Sequence, residues 1–352
     1  MTERAPRILF LAHNPEIPSF RLRLNPVAER LAQKGAEVRI RTVRRGREVL
    51  RFLPLMADLR WADLVVVSKF KLFGPERSLV RRLSGPWIYD VDDAVMYGKP
   101  KFHGDEPDMA RWRIRRFEAM CRGAALVSAA TRILAERIPP GVRVEVNPTP
   151  VDCAQYPVRA HGAVEKPAFA WIGLGENLRY LNDLIPVLEE AALRIPGLTL
   201  HVISDKLPGG RTTLPIVLEA WAESSHGSFL AQADAGLAPL PEDAWTTGKG
   251  GYKIIQYMAA GLPVVASRLD AQMEIGGPEN ETVFYCESRE EWITALERLA
   301  KDTQLRSRMG AAARRRAEEV FDVNVVSERY AALILETARQ RMNHRPTKTE
   351  NL

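Results

Sequence analysis

Apolar residues run along this chain in short continuous blocks separated by helical patterns. The block 7–13 (RILFLAH) is unbroken rather than alternating, as a parallel strand buried on both faces should be. A proline-containing loop follows, and 24–35 (LNPVAERLAQKG) spaces its apolar residues as a helix does, with Gly35 as a stop. Further strands are predicted at 36–43, 62–69, 85–93, 124–130 and 142–148, with helices in PERSLVRRLS and DMARWRIRRFEAMCRG between them. Strand and helix alternating at this spacing predict a parallel, doubly wound sheet. Around 150–166 the periodicity gives way to a proline-rich stretch, as in a linker.

A second series then begins. Strands are predicted at 168–174, 198–204, 233–240, 262–268 and 281–286, with a helix from about Asn177 to Leu193. The stretches REEWITALERLAKD, DTQLRSRMGAAARRRAEEVF and VVSERYAALILETARQRMN supply the closing helices. The expected architecture is α/β: two doubly wound, Rossmann-like halves facing a central cleft, with ligands at the carboxyl ends of the strands. The first domain is placed at 1–155 and the second at 165–322, with a helix at 323–342 returning to the first and a disordered tail at 343–352. At 352 residues, 46% hydrophobic and 27% charged, the chain suits two globular domains.

Charge sharpens this picture. Residues 1–160 hold 29 Lys and Arg against 18 Asp and Glu, while the remainder holds 21 against 26, so the net +6 comes from the first half alone. Such a half could face phospholipid headgroups, a polyphosphate acceptor or nucleic acid, or simply present a solvated Arg-rich surface. Arg interleaved with large apolar residues in 39–52 and 110–122 suits peripheral membrane contact. No aromatic stacking motif accompanies the basic residues, so no nucleic acid is expected as a partner. No apolar stretch reaches the roughly 20 residues that span a bilayer. Cys121, Cys153 and Cys286 are scattered without a CxxC pair, which points away from zinc and disulfides and toward the cytoplasm.

The segment 248–267 (GKGGYKIIQYMAAGLPVVAS) carries the most chemistry: a Gly-rich loop opening a helix, a Gly stop, then a buried strand. Lys249 and Lys253 stand at the helix mouth, where backbone N–H groups and the helix dipole favour a phosphate. An ordinary capped helix with solvated lysines would have the same sequence. Gly173 and Gly175 follow a predicted strand, so a diphosphate could approach the backbone closely. In the first half, Asp90-Val91-Asp92 matches a DxD metal pattern, and Asp92 and Asp93 could instead position an acceptor, serve as a general base or cap a helix. His103 is a weaker base candidate in the loop beyond. The loop 12–24, between first strand and first helix, offers His13, Asn14 and Arg21 to a ligand. No GxGxxG follows the first strand, which weighs against a dinucleotide oxidoreductase.

YMAAGLPVVAS resembles the donor-site segment of retaining family 4 glycosyltransferases (glycosyl transferases group 1), which have the two-Rossmann GT-B fold. VNPTPVD (146–152), AWIGLGENLRYL, ADAGLAPL and the helical stretch from EEWITAL to AEEVF resemble other parts of that family's second domain. The resemblance implies transfer of a sugar from a nucleoside-diphosphate sugar to a glycan or lipid-linked acceptor hydroxyl, without a metal or other cofactor and with retention. It implies a donor site of Gly173, Gly175, Arg179, Ser204, Gly248, Lys249, Gly250, Lys253 and Gln256, with Ser204 near the base. The family carries two glutamates eight positions apart where this chain has Gly248 and Gln256, which leaves sugar, base and stereochemistry open. A sugar-nucleotide epimerase and a non-catalytic nucleotide-sugar scaffold share the fold and are the alternatives.

Overall fold

The structure is a computed structural model that describes residues 4–44, 46, 49–100 and 105–343. The chain divides into two compact units, one of residues 1–100, 106–150 and 324–352, the other of residues 101–105 and 151–323.

In the first unit six parallel strands form one sheet in the order β2-β1-β3-β4-β5-β6. They are β1 (Arg7–Ala12), β2 (Glu37–Thr42), β3 (Leu64–Ser68), β4 (Ile88–Val91), β5 (Leu126–Ala129) and β6 (Val144–Val146). Alternate residues serve opposite faces, which is why β1 and β3, inside the sheet, read as unbroken apolar runs. Leu9, Leu11, Val65, Val67 and Tyr89 pack into one core; Ile8, Phe10, Leu64, Val66 and Ile88 pack into another. The second core is closed by Tyr330, Ala331, Ile334 and Ala338 of the C-terminal helix Val323–Asn343. Residue 343, placed in the tail from sequence, is thus the last turn of that helix; 344–352 lie outside the described residues.

The second unit repeats the plan with β7 (Ala168–Ile172), β8 (Thr199–Ile203), β9 (Ile216–Glu219), β10 (Ala235–Ala238), β11 (Val264–Ser267) and β12 (Val283–Cys286). The order is β12-β11-β10-β7-β8-β9, again all parallel. Phe169, Trp171, Leu200 and Val202 face one core, and Ala170, Ile172 and Ile203 the other. Strand β9 was not predicted: it is an edge strand whose four residues are half-buried or exposed. The helix expected across 302–321 ends at Arg316 and continues as a π-helical turn, Ala317–Phe321. There Val151 donates to Phe321 and accepts from Val323, both at 2.8 Å, where the chain leaves and re-enters this unit.

In each sheet the strand order reverses direction once, between β1 and β3 in the first and between β7 and β10 in the second. The carboxyl ends of strands at such a reversal are where open α/β sheets bind ligands.

Candidate functional site

At the reversal in the second unit, β7 runs into Gly173 and a short helical turn, Gly175–Asn177. The helix Tyr252–Ala259 begins close by, its N-terminal amides without a side-chain cap and Gly251 in the left-handed region at φ 55°. From its first turn Lys253 reaches back over β7. Its ammonium donates to the Ile172 carbonyl and lies 4.1 Å from the centroid of the buried Trp171 ring. A Cβ at Gly173 would collide with that ammonium and come within 2.7 Å of Trp171, so only glycine fits there. Lys249 lies 4.9 Å from the Tyr180 ring centroid, and Arg179 packs on the same ring at 4.8 Å while donating to its hydroxyl at 2.8 Å. Three cations thus gather around Trp171 and Tyr180. Burial, and then the charge of Lys249, pushes the Lys253 ammonium well below its ordinary pKa. A site that disfavours its own cation is one that an entering anion would relieve. Of the nearby carboxylates, Asp243 is engaged with the backbone amides of Trp245 and Thr246, both at 2.7 Å.

Two other residues expected at the donor site are engaged elsewhere in the second unit. The Gly175 amide, expected to face a diphosphate, donates to Asp205 at 2.5 Å, and that bond is the main cause holding the Asp205 carboxyl below its ordinary pKa. Gln256 is nearly buried, and its Nε2 donates to the Tyr156 hydroxyl at 3.0 Å. Tyr156 is 2.8 Å from His226 Nε2, and His226 Nδ1 donates to the Ala222 carbonyl at 2.9 Å. Gln256 is therefore the end of an oriented chain of three side chains. Ser204 is buried, 3.4 Å from Asp205. Gly248 closes the buried turn Thr246–Gly248, and Gly250 follows between Lys249 and the helix cap.

At the reversal in the first unit, β1 runs into His13 and β3 into Lys69. His13 Nδ1 lies 2.7 Å from the Val43 carbonyl, which can only accept, so the proton is on Nδ1. Its ring stacks 4.5 Å from Phe70. Lys69 has φ 65°, and the Phe70 amide reaches back to the Ser68 carbonyl at 2.6 Å. This is a γ-turn of the positive-φ hand, rare for a residue with a side chain and costing about 1–3 kcal/mol. The turn swings the Lys69 ammonium between Asp92 and Asp93, at 2.9 and 2.5 Å. Despite burial, these carboxylates hold Lys69 protonated above its ordinary range. Burial above all pushes the Asp92 carboxyl up, with Asp93 adding to it.

Asp90 plays no part in this cluster. Arg23 grips it with Nε at 2.9 Å and Nη2 at 2.9 Å, Tyr330 donates to it at 3.0 Å, and both ionic partners are sealed from solvent. The DxD pattern is thus split between a structural ion pair and the Lys69 group. Asn14 accepts from the Glu16 amide at 3.0 Å and shapes its own loop, and Arg21 ends the short helix Pro18–Arg21. His103 lies outside the described residues. Lys69, Trp171, Tyr180 and the Tyr156–His226 pair were missed from sequence. Among the described residues no helix is long and apolar enough to cross a membrane, and no group of three or more His, Cys, Asp or Glu is placed to hold a metal ion.

Residues 177–302 match the family described as "Glycosyl transferases group 1". No curated protein matches the chain. Among solved structures, the sucrose-phosphate synthase of Thermosynechococcus elongatus superposes with a TM-score of 0.73 at 12% identity, over 95% of this chain and all of that one. A glycosyltransferase from Rickettsia africae gives 0.71 at 14%, over 97% of this chain and all of that one. HepE of Anabaena, in complex with UDP and glucose, gives 0.64 at 17%, over 94% of this chain and all of that one. At such identities the likeness shows the fold alone, two Rossmann-type domains of the GT-B kind. The chain is a glycosyltransferase of GT-B fold that matches the glycosyl transferases group 1 family over residues 177–302 of its second unit.

Proposed function

We propose that the chain moves a sugar from a nucleoside-diphosphate donor, held by the second unit, to a hydroxyl of a glycan or lipid-linked acceptor, held by the first. The observation that carries this reading is the gathering of Lys253, Lys249 and Arg179 around Trp171 and Tyr180, at the strand reversal and beside an uncapped helix N-terminus. Fixed cations there suit a leaving diphosphate, whose charge grows as the bond to the sugar breaks. HepE has been captured with UDP-glucose, which makes a uridine diphosphate sugar the first donor to try. In the transfer, the acceptor oxygen bonds to the anomeric carbon as the bond from that carbon to the diphosphate oxygen breaks. The electron pair leaves with the diphosphate, and the hydroxyl proton passes to Asp92 or Asp93. Lysine and arginine, rather than a metal ion, neutralise the leaving group, and the family resemblance argues for retention.

The helix Arg111–Gly123, with Trp112 half exposed beneath Arg113 and Arg116 at 4.6 and 4.8 Å, offers a basic and aromatic face to a lipid-linked acceptor at the cytoplasmic side of a membrane. The stretch 39–52 contributes less, because Arg39 and Arg41 are paired with Asp58 and Arg51 with Glu76.

The test is a thermal-shift titration of the purified chain against nucleoside diphosphates and their sugars. A ligand at 100 times its Kd stabilises by about 2.7 kcal/mol. One series is expected to raise Tm, and Lys249→Ala with Lys253→Ala to abolish the rise; silence across the series would sink the donor assignment.

A further inference from the structure

Lys69 has no role in the transfer as written above, yet it holds a strained backbone and two carboxylates at the strand ends. A turn that needed only this backbone would be served by glycine, which adopts positive φ without strain. Here the residue at φ 65° carries the longest unbranched side chain available, and that chain ends between two carboxylates. The neighbouring ion pair of Arg23 and Asp90 shows what a purely structural pair looks like in this sheet: its side chains are 1% and 3% exposed. Lys69, Asp92 and Asp93 instead keep 26%, 14% and 23% of their side-chain surface, so a ligand at the strand ends can reach them. Observed strain at a reachable ionic group argues for function more than for stability.

We propose that Lys69 is a positioning residue for the transfer reaction, acting through Asp92 and Asp93 rather than on the sugar. This rests on the glycosyl-transfer reading given above. The ammonium holds the two carboxylates side by side and ionised, so that one accepts the acceptor's hydroxyl proton while the other keeps that hydroxyl aimed. Without the cation, two adjacent carboxylates on a part-buried strand end would repel, and one would take up a proton before any substrate arrived. The base would then be spent at neutral pH.

Transfer is measured from UDP-glucose to methyl and octyl glycosides of glucose, galactose, mannose and N-acetylglucosamine, across pH, for the full chain and three variants. A carboxylate base gives a rate that falls as pH drops through its pKa. In Lys69→Met, loss of the cation raises that pKa, so the acidic limb of kcat/KM for the acceptor should move up by a pH unit or more. kcat should fall at least tenfold and KM for UDP-glucose stay unchanged. Lys69→Arg should return the limb toward its original position. Lys69→Gly removes the ammonium while relieving the backbone, so it should fold at least as well as Lys69→Met and show the same displaced limb. Acceptor kinetics left intact in Lys69→Gly, or a limb that stays in place in Lys69→Met, would overturn the role of Lys69 alone. Absence of transfer by the unaltered chain to every acceptor would overturn the transfer reading and the positioning role together.

Discussion

The two sheets have the same number of strands and each reverses its order once, yet the groups at the two reversals are of opposite character. In the first unit the carboxylates of Asp92 and Asp93 flank the Lys69 ammonium. In the second, Lys253 bonds a backbone carbonyl rather than a carboxylate and has Lys249 near enough to depress it further. The fold fixes where a ligand can sit; the side chains at each reversal fix what kind. Carboxylates suit a group that gives up a proton, and ammonium groups suit one that gains negative charge.

The division of labour can be broken most decisively on the acidic side. Replacing Asp92 and Asp93 together by Asn should lower sugar transfer by about 10²–10⁴, the usual worth of a positioned general base, while nucleotide affinity by calorimetry stays as it was. A matching loss of nucleotide affinity would show that the acidic group serves the donor, and the contrast between the sheets would collapse.

The next effect separates Asp90 from its neighbours. Asp90→Ala strands the guanidinium of Arg23 in a sealed site and should cost about 3–5 kcal/mol of stability in urea unfolding, against a much smaller change for Asp92→Asn. Equal losses would mean that the Lys69 group is structural as well. On the cationic side, Lys253→Met should weaken nucleoside diphosphate binding by about 10- to 100-fold, as expected for one charged hydrogen bond, without moving the acceptor KM.

How much of this the sequence announces depends on the range over which each feature is built. Strands buried on both faces are local and legible, and eleven of the twelve were placed within a few residues. β9 escaped because an edge strand need not be apolar throughout. Gly173, Lys249 and Lys253 could be named from a Gly-rich turn and a helix mouth, but Trp171 and Tyr180, which gather the cations, read as ordinary core residues of a strand and a helix. Gln256 could be named as well, but its chain through Tyr156 to His226 joins residues 100 and 70 positions apart and leaves no mark on any one segment. A positive φ at a lysine has no local signal at all. Asp90 and Asp92 differ by two positions and look alike in sequence; only the burial of Arg23, from a loop 67 residues away from Asp90, tells the ion pair from the reachable acid.

The smallest expected effect bears on the cationic side and follows from the direction in which Lys253 is shifted. Burial, with Lys249 next, lowers its folded pKa below the ordinary lysine value, so the empty site favours the neutral amine more than water does. A bound diphosphate favours the ammonium and raises that pKa again. Between the lowered value and the raised one, binding takes up a proton, so affinity must fall as pH rises through that window, by at most about tenfold per pH unit for one group. Below the window the lysine is charged with or without ligand, and its contribution to the slope vanishes. Calorimetric Kd values for UDP taken stepwise up to pH 10, in buffers of different ionisation enthalpy, would report both the slope and the proton. The difference from Lys253→Met cancels the titration of the nucleotide itself. A slope that Lys253→Met leaves unchanged would move the proton to another group, Lys249 first among them, and an unaltered chain with no slope would mean that Lys253 is charged before the anion arrives, so that its burial is a feature of the core and not of the donor site.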